Sequence, residues 1–323
     1  MELERALSQL EAAAEPSRLR LLALLLPGEA TVGDLVTVLE QSQPRVSRHL
    51  RLLADAGLVE SFREGRSIYY RLADTVLDDG IGDYLAALLR GSDPVVDQDR
   101  KHMAQSRRQR ERDALRRGTR SIRTLGTGVI PAANAMAECL DAVLGSSPLG
   151  NVLDIGAGAG SLLQLLAPRA RRIVGVDSSS HMRQLARSRL YGAGRARWTI
   201  RDADAHALPF ADGEFDLVIL DEVLGTSAQP ELILSEALRV LGSHRHGRLL
   251  ICDRILPVVR RLAGAPAHAE LSERQLGALL RTAGFTVVRR QWLPGRAPDR
   301  ALFLAMINET ADVPQKARTG THD

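Results

Sequence analysis

Apolar positions recur at helical spacing from the start of the chain. Leu3, Ala6, Leu7, Leu10, Ala13 and Ala14 mark a helix over residues 1–14. Pro16-Ser17 opens a second helix, Ser17 to Leu26, with Ser17 as cap and Pro27-Gly28 as stop. Thr31 caps a third, Val32 to Leu39. The polar turn Gln41-Ser42-Gln43 leads into a fourth, Pro44 to Ala56, which Gly57 ends. The pattern then changes: Leu58 to Arg63 and Arg66 to Leu72 read as two strands turning at Glu64-Gly65. Helical spacing returns over Thr75 to Arg90. In the fourth helix Val46, Leu50 and Leu53 repeat at i, i+4, i+7 and face inward. Gln43, Ser47 and Arg51 then form one outer row, and Pro44 and Arg48 the next.

The second half alternates strands and helices. Pro131 to Leu144 is an amphipathic helix. Val152, Leu153 and Ile155 make a short strand that runs into Gly156, Gly158 and Gly160, and a helical pattern follows. Ile173 to Val176 is a second strand ending at Asp177, a third short strand precedes Asp204, and Phe215 to Leu220 is a fourth. Leu232 to Leu241 is a helix and Arg248 to Cys252 a fifth strand. Ser272-Glu273 caps a helix running to Ala283, and Phe285 to Leu293 and Ala301 to Ile307 close the sheet. The polar tail after Asn308 is expected to be disordered.

Between the halves, Ser92 to Pro94 reads as a hinge. Arg100 to Arg123 then holds nine Arg and one Lys against Glu111 and Asp113, a net +8, twice the +4 of the whole chain. A solvated connecting helix and a segment that adds phosphate contacts beside bound DNA are both open readings of this run. The boundaries that follow are 1–92, 93–130 as a basic helical linker, 131–308 and a tail 309–323.

Three helices, a short fourth entered by a turn, and a two-stranded ribbon make a winged helix-turn-helix. Its polar, basic outer face on the fourth helix is what a major-groove reader needs. Arg63 and Arg66 flank the wing turn, within reach of phosphate or minor groove. The candidate DNA-binding set is Gln43, Pro44, Ser47, Arg48, Arg51, Arg63 and Arg66. Residues 1–92 carry ten Arg against fourteen acids, so domain charge does not support DNA binding; local clustering does, with six Arg and three acids from Gln43 to Arg71.

The glycine turn lets backbone pass close to a ligand. Asp177, at the end of the next strand, can accept from two ribose hydroxyls. The pair predicts a nucleoside site. The spacing is G-x-G-x-G, preceded by Asp154, rather than the dinucleotide pattern. An acid there suits a ligand with an ammonium and a sulfonium. With Asp204-Ala205-His206-Ala207-Leu208-Pro209-Phe210 and the fourth strand, residues 120–308 resemble the class I S-adenosylmethionine (SAM) methyltransferases, most closely the UbiE group of quinone biosynthesis. The resemblance implies an α/β Rossmann-like domain. It implies that Asp154 and the loop with Gly156, Ala157, Gly158 and Gly160 hold the methionine end, Asp177 the ribose, and Asp204 with Ala205 the adenine, with Ser178 and Leu220 also among the cofactor-binding residues. The implied ligand is SAM or S-adenosylhomocysteine (SAH).

Glu15 to Leu22, Ser42 to Leu50 and Ala56 to Val59 resemble the ArsR/SmtB repressors over residues 1–91. That implies a homodimer built on the first helix and the helix after the wing, and an inverted-repeat operator in double-stranded DNA. The metal-sensing members' cysteine pair is absent from Val32 to Leu39, and the post-wing helix has Asp78, Asp79 and Asp83 but no histidine, so no metal is expected. His49 is read as packed rather than ligating, and His244 and His246 as a solvent-exposed loop pair. Cys139 and Cys252 make neither a disulfide framework nor a zinc site, which suits a reducing cytoplasm. Acidic Glu2, Glu4, Glu11 and Glu15 argue against a signal peptide, and the longest early apolar run, Leu21 to Leu26, is too short to span a bilayer.

Two functions remain at this point. One is a DNA-binding regulator whose α/β domain takes SAM or SAH as signal or cosubstrate. The other is a SAM-dependent small-molecule methyltransferase with an N-terminal dimerisation and control domain, acting on an unknown acceptor. Methyl transfer needs positioning, and a base when the acceptor must lose a proton. Asp221 and Glu222, after the fourth strand, are the candidates. UbiE-like enzymes tend to carry a histidine in that segment, and Asp221 to Ser227 has none.

Overall fold

The computed structural model describes residues 2–78, 80–89, 93–124, 133–191, 198–242, 247–256, 271–294 and 300–308. Two compact units emerge: Met1–Ser121 with Gln184–Thr199, and Ile122–Arg183 with Ile200–Asp323. The expected loop pair His244 and His246 and the expected disordered tail lie outside the described residues, as does part of the hinge.

The first unit contains α1 (Glu2–Ala13), α2 (Pro16–Leu25), β1 (Ala30–Thr31), α3 (Val32–Leu39) and α4 (Gln43–Asp55). The wing strands β2 (Val59–Glu64) and β3 (Ser67–Leu72) follow, then α5 (Asp74–Asp78), α6 (Ile81–Leu88) and α7 (Pro94–Thr124). β3 is the middle strand, antiparallel to both β1 and β2. Leu21, Leu25, Leu35, Val46, Leu50 and Leu53 are fully buried in one apolar cluster, so the periodic apolar stripes meet where the sequence pattern requires. The turn into α4 uses Glu40 in the left-handed region, φ 55°. The capping box of α3 joins Thr31 Oγ1 to Asp34 N at 3.1 Å and Asp34 Oδ2 to Thr31 N at 3.0 Å.

Two local expectations are corrected. Pro16 occupies the first helical turn of α2, so the cap is Glu15, whose carboxylate accepts from Arg18 N at 2.9 Å. Ser17 is instead buried, its Oγ accepting from Gln41 Nε2 at 3.0 Å. The helix expected over Thr75 to Arg90 is two helices. Gly80, with φ +78°, takes the left-handed cap position ahead of α6 and breaks the run.

The rest of the chain builds α8 (Ala133–Leu144), β4 (Gly150–Ile155), α9 (Ser161–Leu166), β5 (Ala170–Val176), α10 (Ser180–Leu190) and β6 (Trp198–Arg201). Then come β7 (Leu217–Asp221), α11 (Pro230–Leu241), β8 (Arg248–Leu256), β9 (Leu271–Ser272), α12 (Glu273–Thr282), β10 (Phe285–Trp292) and β11 (Arg300–Ile307). The strand order is β6-β5-β4-β7-β8-β11-β10, with β9 paired to β8. β4 is parallel to β5 and β7, β7 to β8, and β11 is antiparallel to β8 and β10. This is a Rossmann-like α/β sheet with one reversed strand. Chain order reverses at β4, and ligands of open α/β sheets bind beyond the strand ends at such a switch point. Val152, Leu153, Ile155, Val218, Ile219 and Leu220 are fully buried, as expected for central parallel strands covered on both faces.

Candidate functional site

The loop leaving β4 is bent by three glycines: Gly156 (φ +73°), Gly158 (φ +52°) and Gly160 (φ +76°). The amides of Gly156 and Ala157 donate to the Val176 carbonyl at 2.8 and 2.9 Å, which fastens the loop to the end of β5. A Cβ at Gly156 would lie 2.5 Å from Val223 Cγ2, so the residue after β7 packs where any side chain would stand. Asp177 closes the arrangement: Oδ2 accepts from Gly158 N at 2.9 Å and Oδ1 from Ser179 N at 2.8 Å. The expected ribose acid is thus the brace of the glycine loop, while Ser178 beside it is exposed.

Asp154 is 1% exposed, and its Oδ1 has no hydrogen-bond partner. Burial, then the nearby Asp221 and Asp177 carboxylates, push its carboxyl well up. Such a group is costly unless a cation or donor comes to it. The ammonium of a methionine end is a donor of that kind, and the positive-φ glycine turn leaves room for close backbone approach. The residues therefore fit SAM or SAH. Leu220 is fully buried among core side chains. Asp204 and Ala205 sit in the loop after β6, Asp204 exposed and Ala205 partly so.

The two carboxylates after β7 are already engaged. Arg300 Nη2 on β11 donates to Asp221 Oδ1 at 2.9 Å, and Arg300 Nε lies 3.3 Å from Glu222 Oε1. Glu222 sits at φ +54°, in the left-handed region that non-glycine residues seldom adopt, which often marks a functional loop. On the next strand Asp253 is 4% exposed. Its oxygens accept from Arg254 N at 2.8 Å and Gly225 N at 3.4 Å, and burial raises its pKa to about 6.

Sequence reasoning assigned no role to His206, Ser227, Arg300 or Asp253. His206 Nδ1 is 2.7 Å from Asp204 Oδ1 and Nε2 is 3.0 Å from Ser227 Oγ. The available signal was a histidine two residues after the adenine-side acid; its partner Ser227, 21 residues on, is invisible without the fold.

On the face of α4 expected to read DNA, Gln43, Pro44, Arg48 and Arg51 are exposed and Ser47 partly so, opposite the buried Val46, Leu50 and Leu53. Arg63 and Arg66 are exposed beside the wing turn, where Gly65 has φ +57°. On the basic helix α7, a solvated helix and a run of phosphate contacts were both open readings, and its described arginines divide. Arg107 is 7% exposed, donates to the carbonyls of Glu29 and Arg187, and lies 3.7 Å over the Tyr191 ring, all within the first unit. Arg110 pairs with Asp34 and Arg100 with Asp97. Arg108 and Arg112 are exposed.

Among the described residues no helix is long and apolar enough to cross a membrane, and no cluster of His, Cys, Asp or Glu is arranged to hold a metal. Two family models match the chain: "Bacterial regulatory protein, arsR family" over residues 15–61 and "Methyltransferase domain" over residues 153–251. The chain is 36% identical over 85 residues to the transcriptional repressor SdpR of Bacillus subtilis, which is 26% of this chain and 94% of that protein. It is 46% identical over 61 residues to the arsenical resistance operon repressor of Escherichia coli, 19% of this chain and 52% of that one. The second half is 37% identical over 113 residues to the demethylmenaquinone methyltransferase of Clavibacter sepedonicus, 34% of this chain and 44% of that enzyme. The chain thus spans less than half of the curated methyltransferase it matches there.

Proposed function

Because this chain belongs to the arsR family of bacterial regulatory proteins and joins that domain to a methyltransferase domain, we propose that it is a transcriptional regulator controlled through a nucleoside. Residues 1–92 bind an inverted-repeat operator as a homodimer. Residues 131–308 bind SAM or SAH, as signal or as cosubstrate. The observation that carries the nucleoside half is the buried, partnerless Oδ1 of Asp154 beside a glycine loop braced by Asp177. An ammonium group satisfies that oxygen, and the carboxylates of Asp154, Asp177 and Asp221 favour a cationic ligand.

The dimer half is supported by apolar surface on the helices that flank the reading head. Leu3, Leu7 and Leu10 on α1 are 72%, 50% and 57% exposed, and Tyr84 and Leu88 on α6 are 58% and 55% exposed. α1 and α6 also line a cavity of about 320 Å³ with Ala6, Gln9, Leu10, Ile81 and Tyr84. Exposed apolar side chains gathered on these helices suit an association surface. A twofold protein matches twofold DNA, with half-sites about one helical turn or a multiple apart.

The test is a calorimetric titration of the full chain with SAM and SAH, followed by operator isotherms with and without ligand. The expected coupling is about 1–3 kcal/mol, and reciprocity requires operator DNA to change nucleoside affinity by the same factor. Asp177→Ala weakens the ligand and abolishes the coupling at concentrations that saturate the parent, while ligand-free operator binding is unchanged. If both nucleosides bind tightly and neither moves the operator isotherm, the regulatory reading fails and the tethered-enzyme reading replaces it.

A further inference from the structure

We propose that Arg187 is a positioning residue for DNA binding: it sets the wing, so that part of the stretch matching the methyltransferase model completes the DNA-reading head. This rests on the DNA-binding reading above. Arg187 stands on α10, inside residues 153–251 of that match. Yet Gln184–Thr199 belongs to the compact unit of Met1–Ser121.

The Arg187 guanidinium reaches across the whole sheet β1-β3-β2. Nε donates to Oε2 of Glu29, the residue before β1, at 2.9 Å. Cζ lies 4.0 Å over the ring of Tyr69 on the middle strand β3. Nη1 and Nη2 donate to Oε1 and Oε2 of Glu64, the last residue of β2, at 3.1 and 2.6 Å. Tyr69 is in register with Thr31 on β1 and with Phe62 on β2, and it stacks on Phe62 at 5.3 Å. One side chain thus touches both edges and the centre of the wing sheet. Arg187 is 4% exposed and Glu29 fully buried.

Glu64 directly precedes the turn at Gly65, which Arg63 and Arg66 flank. A two-pronged bond from a planar guanidinium fixes direction as well as distance. It also occupies a carboxylate that would otherwise repel phosphate and compete for Arg63 and Arg66. The other acid of β2, Glu60, is paired with Arg71. The segment that carries Arg187 is seated at several further points. Arg107 donates to the Arg187 carbonyl at 3.2 Å and to the Glu29 carbonyl. Thr199 Oγ1 donates to Glu29 Oε1, and Tyr191 Oη to the Leu24 carbonyl at 2.9 Å. A Cβ on Gly28 would run into the Trp198 ring. Desolvation offsets much of the attraction in a buried ion pair, so such a pair is weak evidence for stability; what it offers here is one defined arrangement of the sheet. The competing account is that Arg187 fastens residues 184–199 in place and does nothing for DNA.

A mutant cycle in the full chain decides between the two. Binding is measured over a range of salt to a duplex from upstream of the chain's own gene and to a random duplex of equal length. Arg63→Gln with Arg66→Gln is introduced into the parent and into Arg187→Lys, which keeps the charge but lacks the planar fork that serves Glu29 and Glu64 together. Urea midpoints are recorded in parallel. In the parent, the wing substitutions are expected to weaken binding and to make the slope of log K against log salt shallower by up to about 0.9 per cation. Arg187→Lys alone is expected to weaken binding about 3- to 30-fold. On that background the wing substitutions change affinity by less than about twofold. Glu64→Ala leaves the Arg187–Glu29 pair in place and is expected to remove the effect of Arg63 and Arg66 in the same way; it carries the cycle if Arg187→Lys does not fold. Wing substitutions that cost the same in both backgrounds overturn the proposal and leave Arg187 as a fastener. A parent indifferent to Arg63→Gln with Arg66→Gln overturns it too. No binding of the parent to either duplex brings down the DNA-binding reading, and the proposal with it.

Discussion

α4 and α7 both carry arginine, and two of the described arginines of α7 meet a different fate from those of α4. On α4, Arg45, Arg48 and Arg51 lie on the exposed side of a helix whose other side is Val46, Leu50 and Leu53. None of the three makes an ion pair among the described residues. On α7, which carries the basic run Arg100 to Arg123, Arg107 is buried against Tyr191 and two carbonyls and Arg110 is tied to Asp34, while Arg108 and Arg112 are exposed. Asp99 of the same helix accepts a two-pronged bond from Arg20 at 2.6 and 2.7 Å. A charge count alone does not tell which of these cations remain available. What a cation can offer phosphate depends on whether protein groups have already claimed it, because an engaged guanidinium must give up its partners before it can bind anything else.

That contrast is sharpened most by Arg107→Ala. Removing a stacked, buried guanidinium forfeits about 2 kcal/mol of cation–π contact and leaves carbonyls unpaired at about 1–3 kcal/mol. Stability is expected to fall by about 3–5 kcal/mol, read as a lower urea midpoint, with the salt slope of DNA binding unchanged. A shallower slope would mean that Arg107 does reach phosphate.

The next effect is at α4. Arg48→Ala or Gln43→Ala is expected to cost about 1–3 kcal/mol of operator affinity and to relax the base preference at one position of each half-site. Stability should hold, because both side chains are exposed. Footprints that cover a single asymmetric site would break the twofold reading.

The smallest effect is expected from Arg108→Gln with Arg112→Gln, two exposed cations of α7. If they touch phosphate, the slope of log K against log salt becomes shallower by up to about 0.9 for each phosphate no longer neutralised, uniformly across sequences. An unchanged slope assigns the outer face of α7 to solvent.

How much of this was legible beforehand differs by element. The stripes of α4, the capping box of α3, the wing turn at Gly65 and the glycine turn after β4 are local. Each is set by residues within one or two turns of each other, so periodicity and turn chemistry were enough to place them. The cap of α2 was misread by two residues because Pro16 moves the helix start forward. The post-wing helix was read as continuous because a single glycine in an apolar pattern does not by itself reveal a left-handed turn.

The site divides along the same line. Asp154, Gly156, Gly158 and Asp177 could be brought into one candidate site from the chain because strand ends and glycine spacing mark a switch point of a parallel sheet. The sequence by itself therefore determined the two domain types, the glycine turn after β4 and the outward face of α4. Tertiary structure alone decided which charges remain available. It carried Arg300 across to Asp221 and Glu222, drew Asp34 onto Arg110, and set His206 beside Ser227. The residues of these contacts are 21 to 79 positions apart. Hydrophobic burial brings strands and helices together without regard to such separations, and the polar groups then pair with whatever the packing has placed within reach.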